Sequence, residues 1–166
     1  MPGSSSLIRA MQTADWEAVS RIYQAGMDTN LATFQTTCPP WEDWDNSHVG
    51  KCRLVAETDS AVIGWAALSP VSKRQVYAGV AEVSIYIDTS AQKSGVGTKL
   101  LQVLCREAEK EGFWTLQSGI LPENQASIRL HEKCGFRLVG YREKIGKDRY
   151  GAWRDSVLME LRNSIV

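Results

Sequence analysis

Gln92-Lys93-Ser94-Gly95-Val96-Gly97-Thr98 decides how this chain is read. The run before it, Ala81 to Asp88, alternates like a strand. Ala81, Val83, Ile85 and Ile87 fall on one side, and Glu82, Ser84, Tyr86 and Asp88 on the other, polar side. The run after it, Val96 to Lys110, carries Val96, Leu100, Val103, Leu104 and Ala108 at helical spacing. A strand that turns through a glycine loop into a helix makes an anion site. The glycines admit a phosphate close to the backbone, and the first helical N–H groups point at it with the dipole behind them.

Around this unit the chain reads as one domain. Its 166 residues suit a single core, and 43% hydrophobic with 23% charged residues is ordinary for a globular protein. Formal charge is zero without a basic block, which argues against nucleic acid as a partner. No apolar run reaches membrane-spanning length, so no membrane is expected. Residues 1–6 are small and polar, without the apolar stretch of a signal peptide, and are expected to be a disordered lead; 163–166 form a short tail. Cys38, Cys52, Cys105 and Cys134 have neither CxxC spacing nor a ligand pattern with His48 and His131. Four free thiols, no metal and a cytoplasmic location are the expectation.

Periodicity and turn residues predict the other elements. Leu7 to Ala10 reads as a strand, followed by a helix to about Met27 with Asp15 as its N-cap. Asp28 to Pro40 is a loop and Trp41 to His48 a short helix. Arg53 to Thr58 and Ala61 to Ser69 form a hairpin around Asp59-Ser60. Pro70 to Gly79 is a loop and Thr115 to Ile120 a strand. Pro122 to Cys134 is a helix stopped by Gly135. Phe136 to Lys144 and Trp153 to Leu161 form a last hairpin.

Three phosphate loops compete for Gln92 to Thr98. A Walker loop ends Gly-Lys-Ser/Thr, and Gly97-Thr98-Lys99 has the wrong order. A dinucleotide fingerprint needs a third glycine where Leu100 stands. The third reading is the pyrophosphate loop of an acyl-CoA transferase. Here the chain resembles the GCN5-related N-acetyltransferases, whose signature is Gln or Arg, two residues, Gly, one residue, then Gly or Ala. Their second signature, an Asn before a helix ending in a Leu-Tyr-Glu-Lys-x-Gly-Phe-like run, is similar to Asn124 followed by Leu130-His131-Glu132-Lys133-Cys134-Gly135-Phe136. The element order also agrees from Leu7 to Arg162. The resemblance implies an α/β (α+β) fold over residues 7–162: a mixed, mostly antiparallel sheet of about seven strands flanked by about four helices.

It also implies acetyl-CoA as co-substrate. The backbone of Ile85, Tyr86 and Ile87 would pair with the pantetheine arm, as an added strand pairs with a sheet edge. Lys93, Ser94, Gly95, Val96, Gly97 and Thr98 would bind pyrophosphate, with Asn124, Ser127 and Lys133 also on the cofactor. Asn124 doubles as a helix cap. An amine must lose a proton to attack a thioester, and Glu82 is the candidate base, directly or through water. His131 stands where many of these enzymes carry a Tyr that protonates the leaving thiolate. It is either that acid or a packed, hydrogen-bonded histidine.

A narrower resemblance is to the phosphinothricin acetyltransferase branch, which also acetylates methionine sulfoximine and methionine sulfone. Leu-Pro-Glu-Asn, Thr33-Phe34, Pro39, Trp41, Ser69-Pro70, Arg74, Tyr77 and the Gly151, Trp153, Asp155 element carry it. The implied substrate is a small amino acid. Arg74 with Gln75, Val76 and Tyr77 would bind its carboxylate and oxygens, and Phe34 and Trp41 would wall the pocket. A homodimer is implied as well. Acetylation of another amine, such as a protein N-terminus or polyamine, and a non-catalytic acetyl-CoA-binding module are the alternatives.

Overall fold

The computed structural model describes residues 5–164. Most of the expected disordered lead, and residues 165–166 of the expected tail, lie outside them. Seven strands form one sheet in the order β1-β2-β3-β4-β5-β7-β6. They are β1 (Leu7–Ala10), β2 (Leu54–Thr58), β3 (Ala61–Pro70), β4 (Val80–Ile87), β5 (Thr115–Ile120), β6 (Arg137–Lys147) and β7 (Trp153–Arg162). Only β4 and β5 run parallel. A parallel step needs a crossover, and α3 (Val96–Lys110) supplies it. The expected mixed, mostly antiparallel sheet and its four helices are borne out. The last hairpin forms as read, but β7 inserts between β5 and β6.

The β2–β3 turn holds Asp59 and Ser60 at φ of 51° and 64°. Two positive values in succession match the right-handed twist of a hairpin. Gly135 at φ 93° ends α4 (Gln125–Lys133). There the Phe136 N–H reaches the His131 carbonyl and the Gly135 N–H that of Glu132, both at 3.0 Å. Asp15 stands just before α1 (Trp16–Asp28), yet its carboxylate does not cap that helix. It accepts the Gln12 N–H at 2.7 Å and a two-pronged contact from Arg9 at 2.8 and 2.9 Å. The Arg9 guanidinium draws its pKa below the usual carboxylate value.

The sheet is covered on both faces. Ala81, Val83, Leu100, Leu104, Leu116 and Met159 belong to the core under α3. Val19, Ile22, Tyr23 and Met27 of α1, and Trp44 of α2 (Trp41–Ser47), close the other face over Val55, Trp65 and Ala67. The polar side expected of β4 is therefore polar only at its start. Tyr86 stacks on Trp65 with centroids 5.1 Å apart and meets Tyr23 at 4.8 Å.

Candidate functional site

The site begins where the parallel pair comes apart. β4 is hydrogen-bonded to β3 along its length, from Pro70 opposite Ala81 to Gly64 opposite Ile87. On its other edge it meets β5 over only three positions, Val80 with Thr115 to Glu82 with Gln117. Beyond Glu82 the strands diverge, so the β4 edge from Val83 to Ile87 has no strand neighbour on that side. A backbone edge of this kind is a template for an extended, amide-rich ligand.

A cavity of about 400 Å³ occupies the fork. Glu82 to Tyr86 form one wall, and Ser118, Gly119, Ile120, Asn124, Ser127 and His131 the facing one. Tyr23, Ala32, Thr33, Gln35, Ser47, His48 and Ser69 complete the lining. Of the expected site residues, the cavity thus brings together Glu82, Ile85, Tyr86, Asn124, Ser127 and His131. Tyr23 donates its hydroxyl to the Gln35 side-chain oxygen, tying α1 to the 29–40 loop. Burial pushes the Tyr23 hydroxyl up to about 12, so it serves as a neutral donor.

Gln92 to Thr98 lies at the start of α3. Lys93 and Gly95 sit in the left-handed region at φ 63° and 84°. The Ser94 hydroxyl donates to the Ala91 carbonyl and steadies the turn. Gly95 occupies the N-cap and offers no side chain to the first N–H groups of α3. Those donors have no intrahelical partner. Ile87 and Leu130 lie 3.6 and 3.5 Å from where a Cβ on Gly97 would be, which is ordinary contact. The protein itself therefore does not require glycine there. At Asn124 the side-chain oxygen accepts the Ser127 N–H at 3.2 Å, the expected helix cap. Lys133 is exposed near the end of the same helix.

His131 is 2% exposed and both ring nitrogens are engaged. Nδ1 lies 2.7 Å from the Ser127 carbonyl oxygen, which can only accept, so Nδ1 carries the proton. Nε2 is then bare and takes the hydroxyl proton of Ser118 at 2.9 Å. Burial holds the imidazole below its ordinary pKa. This is the packed histidine of the two readings. A neutral ring with its proton held by a carbonyl has none to give to the cavity.

The expected acceptor residues lie elsewhere. Phe34 packs within 3.3 Å of where a Cβ on Gly146 would stand. Trp41 belongs to the Trp16–Trp41–Trp44 cluster, at 5.4 and 5.8 Å. The Arg74 guanidinium sits 5.4 Å over the Tyr77 ring. Gln75–Tyr77 is an exposed 3-10 turn, with Val76 64% accessible. None of these lines the cavity. Ser69, Ser84, Ser118 and His48 do. Ser69 and Ser84 fall in the segments that carry the resemblance, which gives them no site role, and Ser118 and His48 stand outside every motif. Strand alternation was a usable signal for Ser84, two residues from Glu82. His48 had none, because only the Val49 N–H bond to the Leu68 carbonyl, at 2.8 Å, brings it beside the sheet.

Residues 13–136 match the family model described as Acetyltransferase (GNAT) family. The chain belongs to the GNAT acetyltransferase family. An L-methionine sulfoximine/L-methionine sulfone acetyltransferase of Salmonella typhimurium is 29% identical, over 93% of both chains. Among solved structures, a phosphinothricin acetyltransferase from Sinorhizobium meliloti in complex with acetyl-CoA superposes with a TM-score of 0.85 at 28% identity, covering 95% of this chain and 88% of that one. A ribosomal-protein-alanine N-acetyltransferase from Brucella melitensis gives 0.85 at 30% identity, covering 95% and 99%. This GNAT chain is therefore an acyltransferase by class. Among its described residues no helix is long and apolar enough to cross a membrane.

Proposed function

We propose that this acetyltransferase transfers an acetyl group from acetyl-CoA to the α-amino group of a small free amino acid, with phosphinothricin, methionine sulfoximine and methionine sulfone as model acceptors. The fork between β4 and β5, with Glu82 at its apex, carries this reading. The chain has the parts to hold the co-substrate. The uncapped N–H groups of α3 and the turn from Lys93 to Thr98 suit a pyrophosphate. The open β4 edge at Ile85 to Ile87 suits the amides of the pantetheine arm. When bound, acetyl-CoA supplies the thioester whose C–S bond breaks as the C–N bond to the acceptor forms.

Glu82 is exposed on the cavity side, at the last paired position of the fork. Its carboxylate accepts a proton from the acceptor ammonium, directly or through one water, and leaves the amine lone pair free. His131 takes no part in that transfer. Its role is to hold the Ser118 hydroxyl and the α4 wall in place. Thiolate protonation falls to solvent or to the proton released at the amine.

A cavity of about 400 Å³ suits a small acceptor. A second reading, acetylation of a protein N-terminal alanine, draws on the likeness to the Brucella melitensis structure. Thiol release from acetyl-CoA with the three amino acids and an alanine-starting peptide separates the two. We expect turnover with the amino acids, little with the peptide, and a 10²–10⁴-fold loss of kcat in Glu82→Gln. Turnover confined to the peptide sinks the first reading, and cofactor binding without any turnover sinks both. A homodimer fits the exposed apolar side chains of the edge strand β6, among them Leu138, Tyr141 and Ile145. Light scattering at graded concentration tests it. Four free cysteines accord with a reducing, cytoplasmic setting.

A further inference from the structure

The cavity contains a charge problem. Glu82 is its single acidic side chain, and no lysine or arginine lines it. A zwitterionic amino acid brings an ammonium, which Glu82 matches, and at least one oxyanion, which no permanent cation meets. Two lining residues can become cationic, His131 and His48. His131 is excluded because both of its nitrogens are already bonded within the wall.

His48 is different. Its Nδ1 lies 2.7 Å from the Trp44 carbonyl oxygen, so Nδ1 carries the proton and caps the end of α2. The ring stacks on Trp44 at a centroid distance of 4.1 Å, which fixes its plane. Nε2 has no hydrogen-bond partner among the described residues. Its place relative to Glu82 follows from the ladders. Glu82 lies opposite Ser69 across β4 and β3. The Val49 N–H bond to the Leu68 carbonyl sets residue 48 along the other edge of β3. Glu82 and His48 thus flank Ser69 at two strand spacings, roughly 10 Å between backbones, and both line the cavity.

We infer that His48 is the oxyanion contact for the acceptor: Nε2 takes up a proton as an anionic acceptor binds and donates it to a carboxylate or side-chain oxyanion, while Glu82 holds the ammonium. This rests on the amino-acid reading above. The charged groups around the ring are Glu82 across the cavity and the Arg53–Asp45 pair behind Trp44. Arg53 sits 5.1 Å over the Trp44 ring and donates to the His48 carbonyl at 3.1 Å. Tyr23 and Tyr86 are the titratable hydroxyls of the same cavity. In the free protein burial lowers the pKa of the ring, against the Trp44 carbonyl and with Arg53. An incoming anion reverses that balance.

The test compares full-length wild type, His48→Asn and His48→Gln from pH 6 to 8.5. Asn keeps a donor for the Trp44 carbonyl, and Gln extends a neutral donor to where Nε2 stood. Acceptors are methionine sulfone, its carboxamide and phosphinothricin. Taking ratios to wild type at each pH cancels the titration of the acceptor amine. His48→Asn is expected to raise KM for methionine sulfone about tenfold at pH 6.5, with the gap closing by pH 8.5. The carboxamide shows no such gap if the carboxylate is the group read. A gap confined to phosphinothricin assigns the side-chain oxyanion instead, and an equal gap with the carboxamide overturns the inference. His48→Gln restores part of the affinity and removes its pH dependence. Wild-type turnover of amino acids with unchanged KM in His48→Asn at every pH overturns this inference alone. No turnover of any amino acid overturns it together with the acceptor reading.

Discussion

Replacing Ser118 with alanine removes one hydrogen bond from the wall of the cavity and leaves a buried ring nitrogen bare. Ser118 is 3% and His131 2% exposed, and the bond between them is 2.9 Å long. An unsatisfied buried acceptor costs about 1–3 kcal/mol, and the apolar gain of alanine trims this to about 1–2. For a domain of this size, about 2–4 °C of Tm corresponds to each kcal/mol, so Ser118→Ala should melt about 2–8 °C below wild type at pH 7.5. The effect depends on pH in a defined direction. The folded-state pKa of His131 lies below its ordinary value because burial penalises the cation. Stability from the neutral ring is complete above the unfolded value of about 6.5 and is lost as pH falls below it. The Ser118 donor favours that neutral ring, so removing it raises the folded pKa. The Tm gap between variant and wild type therefore narrows from pH 7.5 to pH 5.5. His48 is common to both proteins, so its contribution cancels. Thermal melts followed by circular dichroism at the two pH values suffice. A gap below 1 °C at pH 7.5, or one that widens on acidification, refutes the tautomer and the bond drawn here.

Three other outcomes are expected. Gly95→Ala meets no protein atom within 4 Å of its new Cβ but must hold φ 84°. Its stability should fall by about 1–2 kcal/mol in urea titrations, and its KM for acetyl-CoA should rise more than that for the acceptor. Gly26→Ala would ordinarily stabilise a helix interior by about 1 kcal/mol. Here its Cβ comes 2.6 Å from the Tyr86 ring, so the same urea titration should show a loss. Asp148→Ala removes a carboxylate that takes Asn30 Nδ2 at 3.0 Å, Arg154 Nη1 at 3.2 Å and two backbone N–H groups. These bonds, Asn30's first, press its pKa to about 2. The network anchors the start of the 29–40 loop, so acceptor KM should rise while KM for acetyl-CoA stays level in steady-state assays.

Much of the site was legible because its signals are local. The turn at Gln92 to Thr98 needs left-handed backbone and an uncapped helix start, and a glycine in a strand–loop–helix context announces both. Glu82 was legible because strand alternation placed it on the opposite side from Ala81 and Val83. His131 was identified by position, but its chemistry was not. Whether an imidazole donates a proton depends on what each nitrogen touches, and Ser118 is 13 residues away, on strand β5 rather than on α4. The residues expected on the acceptor side do not line the cavity, Glu82 apart. Phe34, Trp41 and Arg74 have the right chemistry, but their directions are set by Gly146, by the tryptophan cluster and by Tyr77.

By itself, then, the sequence determined the elements, the glycine turn at Gln92 to Thr98 and the family, since each rests on backbone preferences and local spacing. Tertiary structure alone decided the fork. β4 and β5 pair over three positions and part after Glu82, while β5 goes on to pair with β7. Tertiary structure also brought both histidines to one cavity, and left His48 Nε2 without a hydrogen-bond partner among the described residues. Side-chain direction and hydrogen-bond pairing are properties of contacts between remote residues, and no local pattern encodes them.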